Sequence, residues 1–403
     1  MGIFPVNVVK QWGVEINKDF PNRHILLYGE PWVGKNGYPS DGTTQGNIST
    51  TELGPGKVGA GVFNSDFRQT LRGTDNNGGS KGGYIFNQKQ QGSSDIYWGM
   101  MAVAQGARGA IRYVYQDYPE AMSVDFDPMY ANEPAEAVNY AGCHDNLTLW
   151  ARILAWDYTN QDRHASLDYL KQVDKFAYGI ILTSQGIPFM QSGAELLKSK
   201  LDTQAHDPDY ITKNYKYCAK GYNPKTGNFD GTYNSNSYVA PDFVNEINWA
   251  LKAENNGIFN YYKDMIALRN AHPAFRMPTW QDINNYESVL YPDNGKNSTY
   301  GANIPGWMES LNTLQDGVMI ADLNGNGSNL KTKDTWSDII VIYNSGGNYN
   351  FNLPIGNNGT DTWDIAVQNG SGYDSNSTTV IKQTGGTLKA EGTSVTVLYQ
   401  KNS

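Results

Sequence analysis

Short apolar runs bounded by turn residues recur along the first half of the chain. They lie near residues 25–30, 60–64, 138–142 and 187–191. An unbroken apolar run between turn residues is typical of a strand that is buried on both faces, the kind found in parallel sheets. We therefore expect four buried parallel strands, and the first of them is centred on Ile25–Tyr28.

Apolar residues at helical spacing occupy much of the chain between and after these runs. The pattern predicts helices over 6–17, 96–107, 147–156, 167–184 and 259–271. His272 and Pro273 are expected to end the last of these helices, because proline cannot continue a helix. Strands that alternate with helices predict an α/β fold with a parallel sheet.

The pattern changes near residue 278. Short alternating runs at 339–343, 349–353, 362–366 and 393–399 are separated by Gly, Asn, Ser and Asp. This alternation is typical of antiparallel strands in a β-sandwich. A chain of 403 residues has room for two domains. We predict an α/β domain over 1–277 and a carboxyl-terminal antiparallel β-sandwich over 278–403.

Polar groups follow two of the predicted strands at their carboxyl ends. Glu30 follows the first strand, and Pro31 then directs the chain out of the sheet. His144 and Asp145 follow the strand at 138–142. Ligands bind at the carboxyl end of parallel sheets, and a carboxyl group in apolar surroundings beside Trp32 can serve as a general acid. The alternative interpretation of Glu30 is a solvated glutamate at a strand end.

Composition and charge narrow the range of functions. The net charge of −9 and the pI near 5.1 argue against nucleic-acid binding. The sequence contains no run of about eighteen apolar residues that would span a membrane. Ten Trp and 27 Tyr supply flat aromatic faces of the kind that stack on sugar rings.

The two cysteines, Cys143 and Cys218, do not make a disulfide framework. Because Cys143 directly precedes His144, a Cys-His nucleophile is an alternative catalytic arrangement. No oxyanion-hole pattern or third catalytic member accompanies this pair in the sequence.

Two motifs resemble the pullulanase branch of the α-amylase superfamily of glycoside hydrolases: Gly-Glu-Pro-Trp at 29–32 and Cys-His-Asp-Asn-Leu-Thr-Leu-Trp at 143–150. The segments 65–73, 186–189 and 236–242 resemble the same family. The resemblance implies a (β/α)8 barrel, of which the four predicted strands are strands five to eight, followed by a small β domain. It also suggests an extracellular or cell-surface location, although residues 1–5 show no signal-peptide pattern.

The resemblance also implies roles for individual residues. Glu30 would be the general acid/base, and Trp32 would shape the floor of the site around it. His144 and Asp145 would bind the sugar and stabilise the transition state. The other residues expected to contact substrate are Asn146, Asn236, Tyr238 and Asp242.

The substrate that the resemblance implies is a branched α-glucan such as pullulan or starch, cleaved at α-1,6 links with retention. Retaining glycosidases use two carboxylates about 5–5.5 Å apart, one as acid/base and one as nucleophile. The family's nucleophilic aspartate lies on the fourth barrel strand in a Gly-Phe-Arg-Phe-Asp-like motif, and this sequence contains no such motif. We therefore expect little or no activity from the chain alone.

Alternative functions remain open. The chain could be a non-catalytic α-glucan-binding or assembly subunit that completes a barrel with a separate amino-terminal half-chain, or a hydrolase that acts on α-1,4 links. An inverting mechanism in which Glu30 and Asp145 activate water is a further arrangement. No cofactor is expected. The segment 322–327 partly resembles a calcium loop, but Lys333 stands where a bidentate glutamate would complete the site.

Overall fold

The computed structural model describes residues 6–23, 25–30, 60–73, 82–87, 96–111, 130–159, 165–200, 237, 242–293, 295–356, 362–374, 380–382 and 386–402. The described helices are α1 (Val6–Asp19), α2 (Ser65–Arg72), α3 (Ile96–Ala107), α4 (Leu149–Thr159), α5 (Leu167–Thr183), α6 (Asp242–Asn245), α7 (Leu251–Glu254), α8 (Asn256–Ala271), α9 (Trp280–Tyr286) and α10 (Gly306–Glu309). The five predicted helices are confirmed as α1, α3, α4, α5 and α8, and α3 has the predicted bounds. None of these helices is both long enough and apolar enough to cross a membrane.

Four strands of the described chain form one parallel sheet in sequence order. They are β1 (Tyr28–Gly29), β2 (Gly61–Phe63), β3 (Ala137–Tyr140) and β4 (Ile187–Phe189). Tyr28 pairs with Gly61, and Tyr140 pairs with Phe189. Each strand coincides with one of the apolar runs, so the prediction of four parallel strands is confirmed. Burial is confirmed for β2 and β3, whereas β4 is only partly buried.

The expectation that the first strand is buried on both faces is wrong. Ile25, Leu26 and Tyr28 are 42%, 53% and 47% exposed. Among the described strands, β1 pairs with β2 alone and therefore forms an edge of the sheet. Of this run, Leu27 packs partly against the small core cluster that contains Val62. The apolar run marks a strand suited to burial, and its edge position explains the exposure.

Aromatic rings line one face of the parallel sheet. Tyr28, Phe63, Tyr140 and Phe189, one from each strand, contact one another edge to face. The ring centroids of Tyr28 and Phe189 lie 6.4 Å apart, although these residues belong to the first and the last strand. In a flat sheet these strands would be about 14 Å apart, which is three spacings of roughly 4.8 Å. The sheet is therefore strongly curved, with the aromatic face on the inside.

An antiparallel region follows α9. Its described strands are β5 (Glu287–Asp293), β6 (Lys296–Tyr300), β7 (Val318–Leu323), β8 (Trp336–Asn344), β9 (Tyr349–Asn352), β10 (Thr362–Val367), β11 (Val380–Lys382), β12 (Thr387–Ala390) and β13 (Ser394–Lys401). Within the described residues they form a seven-stranded sheet of order β11-β10-β13-β8-β7-β5-β6 and a two-stranded sheet of β9 and β12. The predicted strands at 339–343, 349–353, 362–366 and 393–399 are confirmed as β8, β9, β10 and β13.

The central strands of the seven-stranded sheet pack against other elements on both faces. One face shares a core with α5 and α8, to which Phe176 and Val395 belong. The other face packs on β9 and β12 through Phe351 and Leu388. The core shared with α5 and α8 also contains Leu71 of α2. The helices that flank the parallel sheet are therefore held directly against the antiparallel sheet.

The calcium-like segment does not have the geometry of a calcium loop. Its first residue, Asp322, lies in β7 rather than in a loop. Burial and the neighbouring Asp338 raise the pKa of Asp322 well above its ordinary value. In the following turn, the Asn324 side chain accepts a hydrogen bond from the Asn326 amide at 3.0 Å. The first acidic position therefore faces another carboxyl group inside the protein.

Candidate active site

Glu30, His144 and Asp145 lie together at the carboxyl edge of the parallel sheet. Glu30 directly follows β1, and the other two residues lie in the loop between β3 and α4. His144 Nε2 lies 3.5 Å from a carboxylate oxygen of Glu30 and 3.5 Å from one of Asp145. Because parallel strands end at the same edge of a sheet, the fold brings the residues of two separate motifs into one cluster.

A cavity of about 250 Å³ opens beside this cluster. Carboxylates, a guanidinium, amides, a hydroxyl, a thiol and two aromatic rings surround it. The lining residues are Glu30, Phe63, Ser65, Arg68, Gln69, Tyr140, Cys143, Asp145 and Asn146. Polar groups that converge over aromatic walls form a concave site suited to a ligand rich in hydroxyl groups.

The first turns of α2 form one wall of this cavity. The Asn64 side chain caps the helix by accepting a hydrogen bond from the Phe67 amide at 3.0 Å. Its own amide group donates to Asn139 Oδ1 at 3.0 Å, which ties the start of α2 to β3. Arg68 consequently faces the cavity, and its guanidinium lies 5.4 Å from the centre of the Tyr140 ring. This is cation–π geometry, and it holds the positive charge at the cavity wall.

The same fold is found among known proteins, although no protein-family model matches the chain. The curated pullulanase of Bacillus subtilis (strain 168) is 24% identical over 346 residues, which are 86% of this chain and 36% of that protein. The solved structure of the pullulanase from Bacillus acidopullulyticus has a TM-score of 0.67 at 26% identity. The structural match covers 99% of this chain and 37% of the Bacillus acidopullulyticus chain. The chain is similar to pullulanases over most of its length.

A second solved structure, the Bacillus subtilis pullulanase in complex with maltose, has a TM-score of 0.67 at 22% identity. It covers 100% of this chain and 43% of that one, and the likeness shows the fold. The chain thus spans less than half the length of each of these three proteins. The family resemblance indicated by the motifs at 29–32 and 143–150 is confirmed, and the family is one of glycosidases.

The three clustered side chains of Glu30, His144 and Asp145 are open to solvent. His144, Asp145 and Glu30 are 74%, 52% and 39% exposed. The apolar surroundings expected for Glu30 are therefore absent on one side, because β1 is an edge of the described sheet and leaves that side of Glu30 uncovered. A cluster this open is accessible to a large ligand.

The structure places some of the other expected substrate-binding residues. Asn146 lines the cavity, and its φ of 62° lies in the left-handed region, which Asn adopts more readily than most residues. Asp242 is exposed at the start of α6, and it is not among the residues that line the described cavity. Trp32, Asn236 and Tyr238 lie outside the described residues.

Sequence reasoning missed Ser65, Gln69 and Tyr140 as cavity residues. Tyr140 belongs to an apolar strand run and resembles a core residue in the sequence, but its ring lies on the inner face at the end of β3. Ser65 and Gln69 lie in α2, which begins immediately after β2. The sequence signal that could have identified them is Asn64. A capping residue directly after a strand indicates that a helix begins at the carboxyl edge of the parallel sheet.

The geometry does not support a Cys143–His144 nucleophile. Cys143 is buried, and its thiol donates a hydrogen bond to the carbonyl oxygen of Asp145 at 3.6 Å. Burial raises the pKa of the Cys143 thiol. Nucleophilic cysteines have a lowered pKa and carry the thiolate, so Cys143 has the opposite character.

Glu30, His144 and Asp145 are also of the types that bind divalent cations. In the described structure each residue offers one potential ligand atom, and these three atoms lie within 4.8 Å of one another. Imidazole and carboxylate donors suit zinc and similar ions. These three residues are therefore the ones among the described side chains that could hold a metal.

Proposed function

We propose that the chain is the carboxyl-terminal portion of a pullulanase-type glycoside hydrolase, which cleaves α-1,6 links of branched α-glucans with retention. The observation that carries this proposal is the convergence of Glu30, His144 and Asp145 at the carboxyl edge of a curved parallel sheet. The relationship to pullulanases supports the substrate class. The maltose bound by the Bacillus subtilis enzyme is an α-glucan fragment.

The parallel sheet is proposed to supply strands five to eight of a (β/α)8 barrel. Its curvature supports this, because the rings of Tyr28 and Phe189 meet across the whole sheet. The interior of an eight-stranded barrel is just wide enough to be filled by side chains in this way. We propose residues 1–277 as the barrel portion and 278–403 as a β-sandwich, in which β9 and β12 cover the seven-stranded sheet.

Glu30 is proposed as the general acid, which protonates the glycosidic oxygen, and then as the base that activates water. A general acid must lie within hydrogen-bond reach of the leaving oxygen. The position of Glu30 supports this role, since its side chain lines the cavity and is partly exposed to solvent. Trp32 is proposed to form the floor beside it.

His144 and Asp145 are proposed to bind hydroxyl groups of the sugar at the cleaved link. Hydrogen bonds to an ionised carboxylate are stronger than those between neutral groups. A carboxylate beside the anomeric carbon also stabilises the oxocarbenium-like transition state. Further sugar contacts are proposed for Asn146, Asn236, Tyr238 and Asp242.

The spacing of the two carboxylates bears on the stereochemistry. An oxygen of Glu30 and an oxygen of Asp145 lie within 4.8 Å of each other. An inverting pair needs about 6.5–9.5 Å to admit a water molecule. The spacing therefore argues against an inverting mechanism that uses these two residues. Asp145 keeps the stabilising role that the resemblance implies, and the nucleophile is proposed to come from outside this chain.

A separate amino-terminal half-chain is proposed to supply the nucleophile and to complete the barrel at β1. The surface there is apolar and exposed at Phe20, Ile25, Leu26 and Tyr28. Exposed apolar strand edges are templates for pairing with another chain. This surface supports an association that covers it, and the chain alone is proposed to have little or no activity.

A non-catalytic α-glucan-binding or assembly subunit is the second candidate. The exposed edge at β1 favours it as much as it favours the first candidate, because assembly covers the same surface. A hydrolase that acts on α-1,4 links would use the same residues and would differ in its products.

An assay on pullulan and amylose separates these candidates. Reducing-sugar release is measured for the chain alone and for a joined protein. The joined protein is this chain fused to the part of the Bacillus subtilis pullulanase that lies outside the region of similarity, and its folding is checked by circular dichroism. We expect no reducing-sugar release by the chain alone, and maltotriose from pullulan after joining. Robust release by the chain alone would overturn the external nucleophile. Glucan binding without release by the folded joined protein would establish the binding subunit, and cleavage of amylose only would establish α-1,4 specificity.

A further inference from the structure

A buried lysine holds the loop that carries the His-Asp pair. Lys200 lies eleven residues beyond the end of β4 and is almost fully buried. Its ammonium group donates a hydrogen bond to the carbonyl oxygen of His144 at 2.6 Å. The contact joins the segment after β4 to the loop after β3, across the same carboxyl edge that forms the site.

Two further contacts fix the backbone of the same loop. Arg72 of α2, also fully buried, donates to the carbonyl oxygen of Leu147 at 2.9 Å. Within the loop, the Cys143 thiol donates to the carbonyl oxygen of Asp145. The carbonyl groups of residues 144, 145 and 147 are thus each held by a side chain, and two of these side chains come from other elements.

The carbonyl of His144 belongs to the peptide group that joins His144 to Asp145. Rotation of this peptide group would change the direction of both functional side chains. A charged donor in a buried setting forms one of the stronger hydrogen bonds in proteins. Lys200 therefore acts at the peptide group that links the two members of the pair.

We propose that Lys200 is a positioning residue that sets the orientation of His144 and Asp145 for sugar binding. The inference rests on the proposed function of this pair and deepens it. Lys200 does not touch the sugar in this account. It acts through the His144 carbonyl, so its loss lowers glucan affinity without removing any group that contacts the glucan.

The test compares maltotriose binding by calorimetry in the full chain and its variants. Lys200→Met removes the donor and keeps the length of the side chain, so we expect affinity about tenfold weaker, which corresponds to about 1.4 kcal/mol. Lys200→Arg restores a charged donor and is expected to recover most of the affinity. Recovery by arginine separates the loss of the hydrogen bond from general damage to the fold.

Lys175 provides a matched control. It is a partly buried lysine of α5, and it likewise donates to a backbone carbonyl, that of Gly370, at 3.1 Å. Lys175→Met is expected to lower the thermal midpoint and to leave maltotriose affinity unchanged. Equal losses of affinity in Lys175→Met and Lys200→Met would show a structural effect only and would overturn the positioning role.

A second readout does not depend on glucan binding. The ring-proton chemical shifts of His144, assigned by their absence in His144→Ala, are expected to move in Lys200→Met and to stay in place in Lys175→Met. Unchanged shifts in Lys200→Met would refute the inference. If the wild-type chain binds no maltotriose while the shifts move as expected, the proposed sugar binding by His144 and Asp145 in this chain fails and the positioning contact stands.

Discussion

Glu30→Gln is expected to lower kcat for pullulan about 10³-fold in the joined enzyme. The joined enzyme is this chain fused to the part of the Bacillus subtilis pullulanase that lies outside the region of similarity. Glutamine keeps the size of the side chain but has no acidic proton. The leaving group of pullulan is a sugar hydroxyl, which departs poorly unless it is protonated. Initial rates of reducing-sugar release at saturating pullulan measure the effect.

An α-glycosyl fluoride separates proton donation from other effects of Glu30→Gln. Fluoride leaves without protonation, so the initial burst of fluoride should be far less affected than pullulan cleavage. Asp145→Asn should slow both substrates, because both pass through the same oxocarbenium-like transition state. Glu15→Gln changes an exposed glutamate of α1 and should leave both rates unchanged. If Glu30→Gln lowered the rates on pullulan and on the glycosyl fluoride equally, Glu30 would not be the general acid.

The free energy of unfolding is expected to fall by several kcal/mol as the pH rises from 5 to 8. Three buried carboxyl groups cause this. Burial raises the pKa of Glu136 to about 8, and it raises the pKa of Asp174 and of Glu287 to about 7. Hydrogen bonds from the Asn132 amide to Glu136 and from the Tyr262 hydroxyl to Asp174 oppose the shift but do not outweigh burial.

The sign follows from the unfolded state. There these carboxyl groups ionise near pH 4, whereas in the folded chain they remain neutral to higher pH. The stability is fully present below about pH 4, declines as ionisation favours the unfolded state, and is lost once the pH passes the folded pKa values of about 7 and 8. Urea unfolding curves at pH 5, 6, 7 and 8 measure the decline.

Glu136→Gln tests the largest of these contributions. The amide oxygen of glutamine can still accept the hydrogen bond from Asn132, and the side chain no longer titrates. The decline between pH 5 and 8 should be clearly shallower in this variant. Glu254→Gln, which changes an exposed glutamate of α7, should follow the wild-type curve. A wild-type stability that is constant from pH 5 to 8 would refute this prediction.

Much of the α/β part of the fold could be predicted because its signals are local. The strand at 187–191 and the helix at 167–184 combine continuous apolar residues with clear turn residues at their ends. By contrast, β5 was not predicted, because its apolar residues are flanked by Glu287, Ser288 and Asp293. The burial of Glu287 depends on Arg108, a residue distant in sequence that partly offsets the cost of burying its charge.

The candidate site could be predicted in part for the same reason. Glu30 and Asp145 follow apolar strands, and strand ends of a parallel sheet converge. Tyr140 and Lys200 could not be recognised, because their roles depend on contacts between distant segments. The exposure of β1 also could not be predicted, since an apolar strand at a sheet edge has the same local pattern as a central one.

The central claim is that this chain carries the acid and the sugar-binding His-Asp pair, and that the attacking carboxylate belongs to another polypeptide segment. Peptide mass mapping after reaction with a fluorinated α-glycosyl fluoride, which slows breakdown of the covalent intermediate, tests this most directly. In the joined enzyme we expect the glycosyl adduct on the added segment, and we expect none on the chain alone. An adduct on Asp145, or on any other carboxylate of residues 1–403, would contradict the account.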